Sequence, residues 1–452
     1  MILIVVEALV LFAAVAGTIF AWGSPLSIDS RGVMTVFGQA AALSLCCIVA
    51  FYYNDLYDLR IVRSFSEFGS RLLQSFGVAL ILLAGFYTLF PDTRIAVSGR
   101  FASSLLMIVG VLLPLRAISY AIMRWRAFAD RVLLIGTGKL ARTLIPEIET
   151  RPHYLYTIVG VVDEGSSQEG PPLRYPLLGP LEHLDKIIEE IKPDRIIVAL
   201  AERRGRMPMR QLLDAEAHGV LVEDGLTTYE NFTGKLAIEA LTPSFLIFSG
   251  AFRKPRMLLA IRRLISLGAA AAGLVLTAPL MILVALATKL DSRGPVFFID
   301  ERAGRGGHPF HLIKFRTMRE QTSESEGHSV WSRDDSDRVT RVGRWIRKFR
   351  LDELPQFWNI LRGDMDLVGP RPEILRNVTT MSEQIPYYSL RHVVRPGLTG
   401  WAQVRHGYSV SLEQVTEKMR HDLFYIKHMS LWLDLRILVD TVKIGLFGRG
   451  AQ

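Results

Sequence analysis

Two adjacent carboxylates, Asp352 and Glu353, stand in a stretch that also carries several cationic side chains, including Arg347 and Arg371. Pro355 suits the first turn of a helix, and the apolar residues that follow it recur at helical spacing. Both carboxylates are therefore expected at or near a helix N-terminus. There, the positive end of the helix dipole and the arginines would keep both carboxylates ionised and would attract other anions.

This arrangement of charges suits phosphoryl chemistry. A carboxylate that lies beside cations and phosphate oxygens can attack phosphorus and form an acyl phosphate. A second carboxylate next to it can hold Mg2+, which favours a few carboxylate oxygens together with substrate phosphates. For an isolated Asp-Glu pair the commoner explanation is structural, with Asp352 as an N-cap and Glu353 as a solvated acid of the first turn. The surrounding motifs decide between the two.

The composition indicates a membrane protein with soluble domains. A chain of 452 residues has room for two or three domains. Half of the residues are hydrophobic and 21% are charged, and the apolar excess is concentrated in a few runs, which is typical of membrane segments. The formal charge of +9 fits basic cytoplasmic loops beside anionic lipid, or phosphate-bearing substrates. Nucleic acid is not expected as a partner, because the sequence carries no compact basic stripe or binding motif.

Four apolar runs in residues 1–123 predict a bundle of transmembrane helices. The runs are Ile2–Trp22, Phe37–Tyr53, Leu72–Phe90 and Phe101–Met123, and each is about long enough to cross a ~30 Å hydrocarbon core. The first run lacks the basic segment of a signal peptide and three more runs follow, so we expect it to be retained. The bias of lysine and arginine among the loops favours both ends of the bundle in the cytoplasm.

Residues 124–241 predict a Rossmann-like α/β domain. Its expected elements are buried strands at Val132–Ile135, Thr157–Val162, Arg195–Leu200 and Gly219–Val222, and helices at Leu181–Ile191 and Met209–His218. The turn Gly136-Thr137-Gly138 opens a helix and could cradle a pyrophosphate, with Asp163 on a ribose hydroxyl. No catalytic Tyr-x-x-x-Lys pair follows, so the favoured interpretation is a scaffold without an obligatory cofactor.

Residues 242–288 predict an interfacial segment and then a helix that enters the membrane and returns. Thr242–Arg256 mixes apolar and basic residues as an interfacial helix does, although a buried strand with a basic linker fits too. Leu264–Ala287 is long enough to span, but Pro279 lies inside it and removes a helical hydrogen bond, which predicts a kink. Both flanks are basic, which places both ends on one membrane face. The competing interpretation is a fifth true span.

Residues 289–452 carry the most specific motifs. The segment Leu351-Asp352-Glu353-Leu354-Pro355-Gln356 is followed by Gly363-Asp364-Met365 and Gly369-Pro370-Arg371-Pro372, within a small, basic, helix-rich domain. These residues resemble the bacterial sugar transferases, which are monotopic phosphoglycosyl transferases. Long-form members of that family are polyprenyl-phosphate hexose-1-phosphate transferases of polysaccharide biosynthesis. The resemblance covers the whole chain and implies a membrane α-helical plus α/β fold: four spans, a Rossmann-like domain, and a catalytic domain with a kinked re-entrant helix.

The resemblance implies a transfer in two steps. Asp352 would attack the β-phosphate of a UDP-hexose, with UDP-glucose and UDP-galactose as the favoured donors, and release UMP. Undecaprenyl phosphate would then take the sugar phosphate from the aspartyl intermediate. Glu353 matches the acid that binds Mg2+ in the family, and Pro279 matches the proline that kinks the re-entrant helix. The expected phosphate contacts are four cations: Lys314, Arg316, Arg347 and Arg371.

The resemblance also implies a multi-pass protein of the bacterial inner membrane, embedded in the lipid bilayer with its catalytic domain facing the cytoplasm, and it favours a homodimer. Structural roles remain open for individual residues, because Lys314 and Arg316 could pair with structural acids and Arg371 could cap a helix C-terminus. Two residues depart from the family pattern: Asp300 stands where glutamine is common, and Asp366 stands where serine is usual. Either carboxylate could change Mg2+ handling or sugar choice.

Two other classes of function compete with this interpretation. A membrane-tethered nucleotide-sugar dehydratase would use the α/β domain, but it requires a tyrosine-lysine pair that the sequence lacks. A non-catalytic assembly protein of polysaccharide export would not depend on Asp352. Two structural expectations complete the analysis: Trp401 belongs to the core, and Glu324–Asp337, rich in serine and acids, forms a loop.

Overall fold

The computed structural model describes residues 2–447, apart from residues 22–29, 55, 57–64, 92–94, 96–97, 125–128, 152–154, 166–172, 201–206, 239–240, 242–249, 251, 320–337 and 407–410. Most of the predicted interfacial segment Thr242–Arg256 and the whole of the predicted loop Glu324–Asp337 lie outside the described residues. Both therefore stay predictions.

Four long helices form the N-terminal bundle: α1 (Ile2–Ala21), α2 (Ser30–Tyr53), α3 (Phe65–Leu89) and α4 (Ser98–Arg124). Their facing sides share one apolar core, in which Leu43 and Phe51 are fully buried. Their outer sides are apolar as well, since Leu73 and Leu106 are 76% and 72% exposed. Apolar side chains on both the inner and the outer sides are typical of helices that lie in lipid.

The number of membrane spans is confirmed in part. By length and composition, α2 and α3 can each cross a membrane, and the described residues of α1 and α4 include the apolar stretches Glu7–Ala21 and Phe101–Leu115. Two of the four predicted spans therefore correspond to helices that are long and apolar enough among the described residues. The count of four remains a prediction.

The middle of the chain forms a parallel five-stranded sheet in the order β3-β2-β1-β4-β5, as the alternation of strands and helices predicts. The strands are β1 (Asp130–Ile135), β2 (Tyr156–Asp163), β3 (Leu177–Pro180), β4 (Arg195–Val198) and β5 (Leu221–Asp224). The helices are α5 (Lys139–Glu149), α6 (Leu184–Ile191), α7 (Met209–Ala217) and α8 (Gly225–Thr233). Strand β3 and helix α8 are additions to the predicted set.

The glycine turn after β1 is shaped by close packing inside the domain. Gly136 adopts φ +113°, and a Cβ there would lie 2.6 Å from the carbonyl oxygen of Ala199. Asp163, expected on a ribose, accepts hydrogen bonds from Thr137 Oγ1 at 3.2 Å and from the Gly165 amide at 3.1 Å. These contacts fit the interpretation of the domain as a scaffold, and the ribose role stays a prediction.

One helix of 36 residues, α9 (Arg256–Asp291), contains the apolar run that was predicted to turn back. It continues through Pro279, and Thr277 Oγ1 donates a hydrogen bond to the Gly273 carbonyl in the turn before the proline. Its N-terminal part is tied to the C-terminal region by Arg262, whose Nε donates to Asp434 Oδ2 at 2.6 Å. Its C-terminal end is tied to the same region by Asp291, whose Oδ2 accepts from the Val342 amide at 3.0 Å.

The C-terminal region combines short strands with helices. Strands β6 (Phe297–Ala303) and β7 (Pro309–Phe315) form an antiparallel hairpin, and β8 (Asp366–Val368) pairs in parallel with β9 (Gly397–Thr399). The helices are α10 (Arg341–Lys348), α11 (Gln356–Arg362), α12 (Leu375–Gln384), α13 (Trp401–Arg405), α14 (Leu412–Lys427) and α15 (Leu431–Phe447). One apolar core joins this region to the middle domain, and buried Trp401 belongs to it as predicted.

Candidate active site

The two carboxylates lie in a short 3₁₀ turn, Leu351–Glu353, directly before helix α11. Arg350 precedes them in the left-handed region, with φ +53°, and turns the chain sharply after α10. Pro355 is the N-cap residue of α11, one position before the first turn. The prediction that Asp352 and Glu353 lie at a helix N-terminus is therefore confirmed.

A cavity brings this turn together with the β6–β7 hairpin and the Pro370–Pro372 segment. It is lined by Arg302, Leu312, Lys314, Asp352, Glu353, Gln356, Arg371 and Pro372. Successive side chains of a strand point to opposite faces, and in the hairpin register Arg302 lies on the same face as Leu312 and Lys314. This face of the hairpin supplies cations to a cavity whose opposite wall is acidic.

Glu353 is held by arginine. Arg371 Nη2 donates to Glu353 Oε1 at 3.0 Å, and Arg350 Nη1 lies 3.9 Å from Oε2. The Glu353 side chain is only 14% exposed, so this contact is well shielded from water. The alternative role for Arg371 as a helix cap is not supported, because its guanidinium binds the acid beside Asp352.

Asp352 differs from the sequence expectation in its protonation behaviour. Burial, together with the neighbouring charge of Glu353, raises the pKa of Asp352 to about 6, although the charges of Lys314 and Arg347 act in the opposite direction. Desolvation thus outweighs the cations that were expected to keep Asp352 ionised, although a pKa of about 6 still leaves this carboxyl largely ionised at pH 7. Burial also lowers the pKa of Lys314, helped by the charges of Arg302 and Arg371.

Arg316 does not line the cavity. Its guanidinium is buried and donates to the carbonyl of Arg293 at 2.7 Å and to the carbonyl of Ser292 at 2.8 Å. The reason is that β7 ends at Phe315, so the alternation that points Lys314 into the cavity does not extend to Arg316. The predicted phosphate contact is corrected to a structural role at the C-terminal end of α9.

Arg347 also lies outside the cavity lining. Its positive charge nevertheless acts on Asp352 and partly offsets the rise in the pKa of that carboxyl. Its Nε donates to Thr317 Oγ1 at 2.8 Å. Three of the four predicted cations, Lys314, Arg347 and Arg371, thus act on the two carboxylates, while Arg316 does not.

The two departures from the family pattern have different surroundings. Asp300 Oδ2 lies 2.6 Å from Arg302 Nη2, so it is paired with a cation of the cavity wall. Asp366 is buried away from the cavity lining, with its oxygens 3.1 Å from Arg263 Nη1 and 3.8 Å from Arg395 Nη1. The expected influence of Asp366 on a bound diphosphate is therefore not supported.

Two polar residues of the lining, Arg302 and Gln356, were not predicted as site residues. The period-two pattern of the hairpin would have placed Arg302 beside Lys314 once the register was known. Arg302 Nη1 donates to the Pro372 carbonyl at 3.2 Å, and it thereby holds the segment that carries Arg371. No sequence pattern indicated Gln356, because a glutamine at the first position of a helix can be either buried or exposed.

The adjacent carboxylates fit a magnesium ion. The described residues contain no cluster of three or more histidine, cysteine or acidic side chains that could hold a metal. Mg2+ needs fewer protein ligands, since one or two carboxylates and substrate phosphates satisfy it. Asp352 and Glu353 are close enough for the charge of one to raise the pKa of the other, and a divalent cation would relieve that repulsion.

Comparisons with known proteins place the chain in a family. The sequence model described as bacterial sugar transferase matches residues 257–448, and a second, described as a CoA-binding domain, matches residues 52–215. A UDP-glucose:undecaprenyl-phosphate glucose-1-phosphate transferase of Caulobacter vibrioides is 45% identical over 191 residues, which are 42% of this chain and 71% of the relative. The chain belongs to the bacterial sugar transferase family. It is a long-form sugar transferase, because a second matched region precedes the one that matches the bacterial sugar transferase model.

Two further relatives match this sugar transferase. A UDP-N-acetylgalactosamine-undecaprenyl-phosphate N-acetylgalactosaminephosphotransferase of Aeromonas hydrophila is 44% identical over 223 residues, which are 49% of this chain. An undecaprenyl-phosphate glucose phosphotransferase of Komagataeibacter xylinus is 34% identical over 340 residues, which are 72% of this chain. The chain spans 52% and 61% of the lengths of these two relatives.

Proposed function

We propose that the protein transfers hexose 1-phosphate from a UDP-hexose to undecaprenyl phosphate. The observation that carries the proposal is the cavity in which Asp352 and Glu353 face Lys314, Arg302 and Arg371. An acidic nucleophile can approach a diphosphate only where cations neutralise the phosphate oxygens, and this cavity combines both. The names of the relatives support sugar phosphates and undecaprenyl phosphate as the substrate classes.

The proposed reaction has two displacements at one phosphorus atom. A carboxylate oxygen of Asp352 attacks the β-phosphorus of the UDP-hexose, and the bond to the bridging oxygen breaks, so that UMP leaves with that oxygen. A phosphate oxygen of undecaprenyl phosphate then attacks the phosphorus of the aspartyl phosphosugar. The bond to Asp352 breaks, the carboxylate is restored, and undecaprenyl-diphosphate-hexose is released. No net proton is needed in either displacement.

Each residue of the cavity has a role in this proposal. Lys314 and Arg371 bind the donor phosphates, and Arg371 also fixes Glu353 through its hydrogen bond. Glu353, with Asp352 beside it, would hold Mg2+, which supplies neutralisation of the negative charge on the diphosphate oxygens. Arg347 favours the ionised form of Asp352, which is the form that attacks.

The path of α9 supports a position of the site at one membrane face, and we propose that this is the cytoplasmic face of the inner membrane. Its 36 residues correspond to about 54 Å of helix, more than the ~30 Å thickness of the hydrocarbon core. Both ends are nevertheless bound to the same C-terminal region, through Arg262 and Asp291. A helix that enters the bilayer and returns satisfies both facts, and it would bring the cavity to the level of the lipid phosphate.

The test is UMP release by the purified protein with Mg2+, undecaprenyl phosphate and either UDP-glucose or UDP-galactose. We expect Asp352→Asn to abolish release, because the amide cannot attack phosphorus, and Glu353→Gln to reduce it at least tenfold. Asp214→Asn, at a position that is 73% exposed in α7, is the matched control. Unchanged UMP release by Asp352→Asn would refute the proposed nucleophile. A panel of UDP-sugars would then identify the hexose.

A further inference from the structure

The middle domain is bound to the catalytic region by a buried acid. Glu230, in α8, is 0% exposed, and both of its carboxylate oxygens accept hydrogen bonds from Lys427 Nζ at 2.8 Å. His428 Nε2 also lies 2.8 Å from Glu230 Oε2. A buried carboxylate that loses its cation is strongly destabilised, so this contact holds α8 firmly against the end of α14.

The same face of α14 makes further contacts with the middle domain. Lys235 Nζ lies 2.7 Å from Glu417 Oε2, and His421 Nδ1 lies 3.0 Å from the Gly234 carbonyl oxygen. The Leu236 amide donates to the Arg420 carbonyl at 3.0 Å. These contacts follow α14 for about three turns, so the helix cannot shift along the middle domain without breaking several of them.

The adjacent positions of α14 contact side chains that lie next to the segment carrying Arg371. Lys418 Nζ donates to Glu373 Oε2 at 3.3 Å, and Asp422 Oδ2 accepts from Arg391 Nη2 at 2.9 Å. Arg391 Nη2 donates in turn to the backbone carbonyl of Arg371 at 3.1 Å. The side chains of Arg391 and Asp422 are 2% and 1% exposed, so this connection is a rigid, buried ion pair.

We propose that the middle domain positions Arg371 for the transfer reaction through α14, and that Glu230 is the positioning residue at which this influence begins. The inference rests on the proposed function, because its consequence is measured as a change in the rate of UMP release. The contacts run from Glu230 to Lys427 on α14, from Asp422 on α14 to Arg391, and from Arg391 to Arg371 in the cavity. The test therefore measures the coupling between Glu230 and Arg371 directly.

The experiment is a double-mutant cycle in the full chain with Glu230→Gln and Arg371→Lys. Steady-state UMP release gives kcat and the KM for UDP-glucose of each variant. We expect Glu230→Gln to lower kcat about three- to tenfold and to raise the KM for UDP-glucose by less than kcat falls, because Lys314 still binds the donor phosphates while Arg371, and Glu353 which it fixes, are less well placed. In the Arg371→Lys background, Glu230→Gln is expected to have no further effect, because Arg371 is already absent.

Two additional variants exclude a merely structural effect. Lys427→Gln breaks the same contact from the catalytic side and is expected to reproduce the loss in kcat. Glu223→Gln is the matched control, because Glu223 binds Arg195 and Thr228, which both lie inside the middle domain. Additive losses in the cycle, or an equal loss in Glu223→Gln, would overturn the inference. A wild-type protein that releases no UMP would refute the proposed function instead.

Discussion

At the scale of single residues, Asp352 lies where ionisation of its carboxyl is unfavourable in free energy. Burial and Glu353 raise its pKa to about 6, whereas a carboxyl in an unfolded chain titrates near 3.9. Groups with such shifts are concentrated at functional sites, because a reactive side chain must be partly stripped of water to act. The same shift means that the ionised carboxylate lowers the stability of the folded protein.

We therefore expect Asp352→Asn to be more stable than the wild type while it is inactive. The shift of about two pKa units corresponds to roughly 2–3 kcal/mol of unfolding free energy above pH 6, where the wild-type carboxylate is ionised in both states. As the pH falls from 6 toward 4, the folded state takes up its proton first and the difference disappears. Thermal unfolding at pH 8 and pH 5 measures this, and Asp214→Asn is the control. An unstabilised Asp352→Asn at pH 8 contradicts it.

Lys314 and Arg316 provide a second prediction, because they are two positions apart and have opposite surroundings. Lys314→Gln is expected to lower UMP release more than tenfold and to leave the unfolding temperature nearly unchanged, since the side chain lines the cavity. Arg316→Gln is expected to cost roughly 2 kcal/mol of stability, since its buried guanidinium satisfies the carbonyls of Ser292 and Arg293. UMP release per folded molecule and thermal unfolding curves distinguish the two variants. A loss of stability in Lys314→Gln with a loss of activity alone in Arg316→Gln would show that the two roles are assigned wrongly.

The sequence predicts the site unevenly, and the reasons are physical. Asp352, Glu353 and Arg371 lie in short motifs whose spacing constrains their positions, and the structure brings all three together. Arg302 was missed because a hairpin register is needed to place it beside Lys314. The raised pKa of Asp352 was missed because desolvation depends on packing around the side chain, which its neighbours in sequence do not reveal.

At the scale of elements, α9 is the helix that, in our proposal, determines where the cavity lies relative to the lipid. The elements of the middle domain were predictable from alternating buried strands and helices, with the exception of β3 and α8. The path of α9 was harder to predict, because its length and hydropathy fit both a helix that returns to the same membrane face and a helix that spans the membrane. The contacts of both its ends with one region are tertiary, and they favour the returning path.

Single cysteines at the two ends of α9 test this path. Arg256 and Arg293 are both exposed and flank the helix, so Arg256→Cys and Arg293→Cys are matched reporters. Both are expected to react with an impermeant thiol reagent from the cytoplasmic side, in inverted vesicles and not in intact cells. The native thiols Cys46 and Cys47 are buried in the bundle and are replaced by alanine beforehand. Labelling from opposite sides would establish a fifth span.

At the scale of the whole molecule, the middle domain and the C-terminal region pack against each other. They share one apolar core, and Trp401 Nε1 donates across the junction to the Gly234 carbonyl at 2.8 Å. A junction of this kind resists the independent domain motion that is usual between domains with small, polar interfaces. The sequence model described as a CoA-binding domain matches residues 52–215 and ends before the junction residue Gly234, and the role that we propose for the junction is to position Arg371.

Trp401→Phe tests the junction. The substitution removes one buried hydrogen bond and leaves the Gly234 carbonyl without this donor, so we expect a loss of about 1–2 kcal/mol in stability. Trp432→Phe, at a position that is 62% exposed on α15, is the matched control and is expected to change stability little. Melting curves that fall equally for both variants would contradict the importance of this contact.

The membrane bundle and the last helix also touch, and this has a consequence for biosynthesis. Tyr52 in α2 donates its hydroxyl hydrogen to Asp440 Oδ1 in α15 at 2.9 Å, and Lys443 Nζ donates to the Tyr52 carbonyl at 3.4 Å. The ribosome synthesises Asp440 long after α2 has entered the lipid. Until then, the surface of α2 around Tyr52 lacks its contact with α15. Insertion and final assembly are thus separate events, and a translation arrest before α15 would leave an inserted but unfinished protein for quality control to remove.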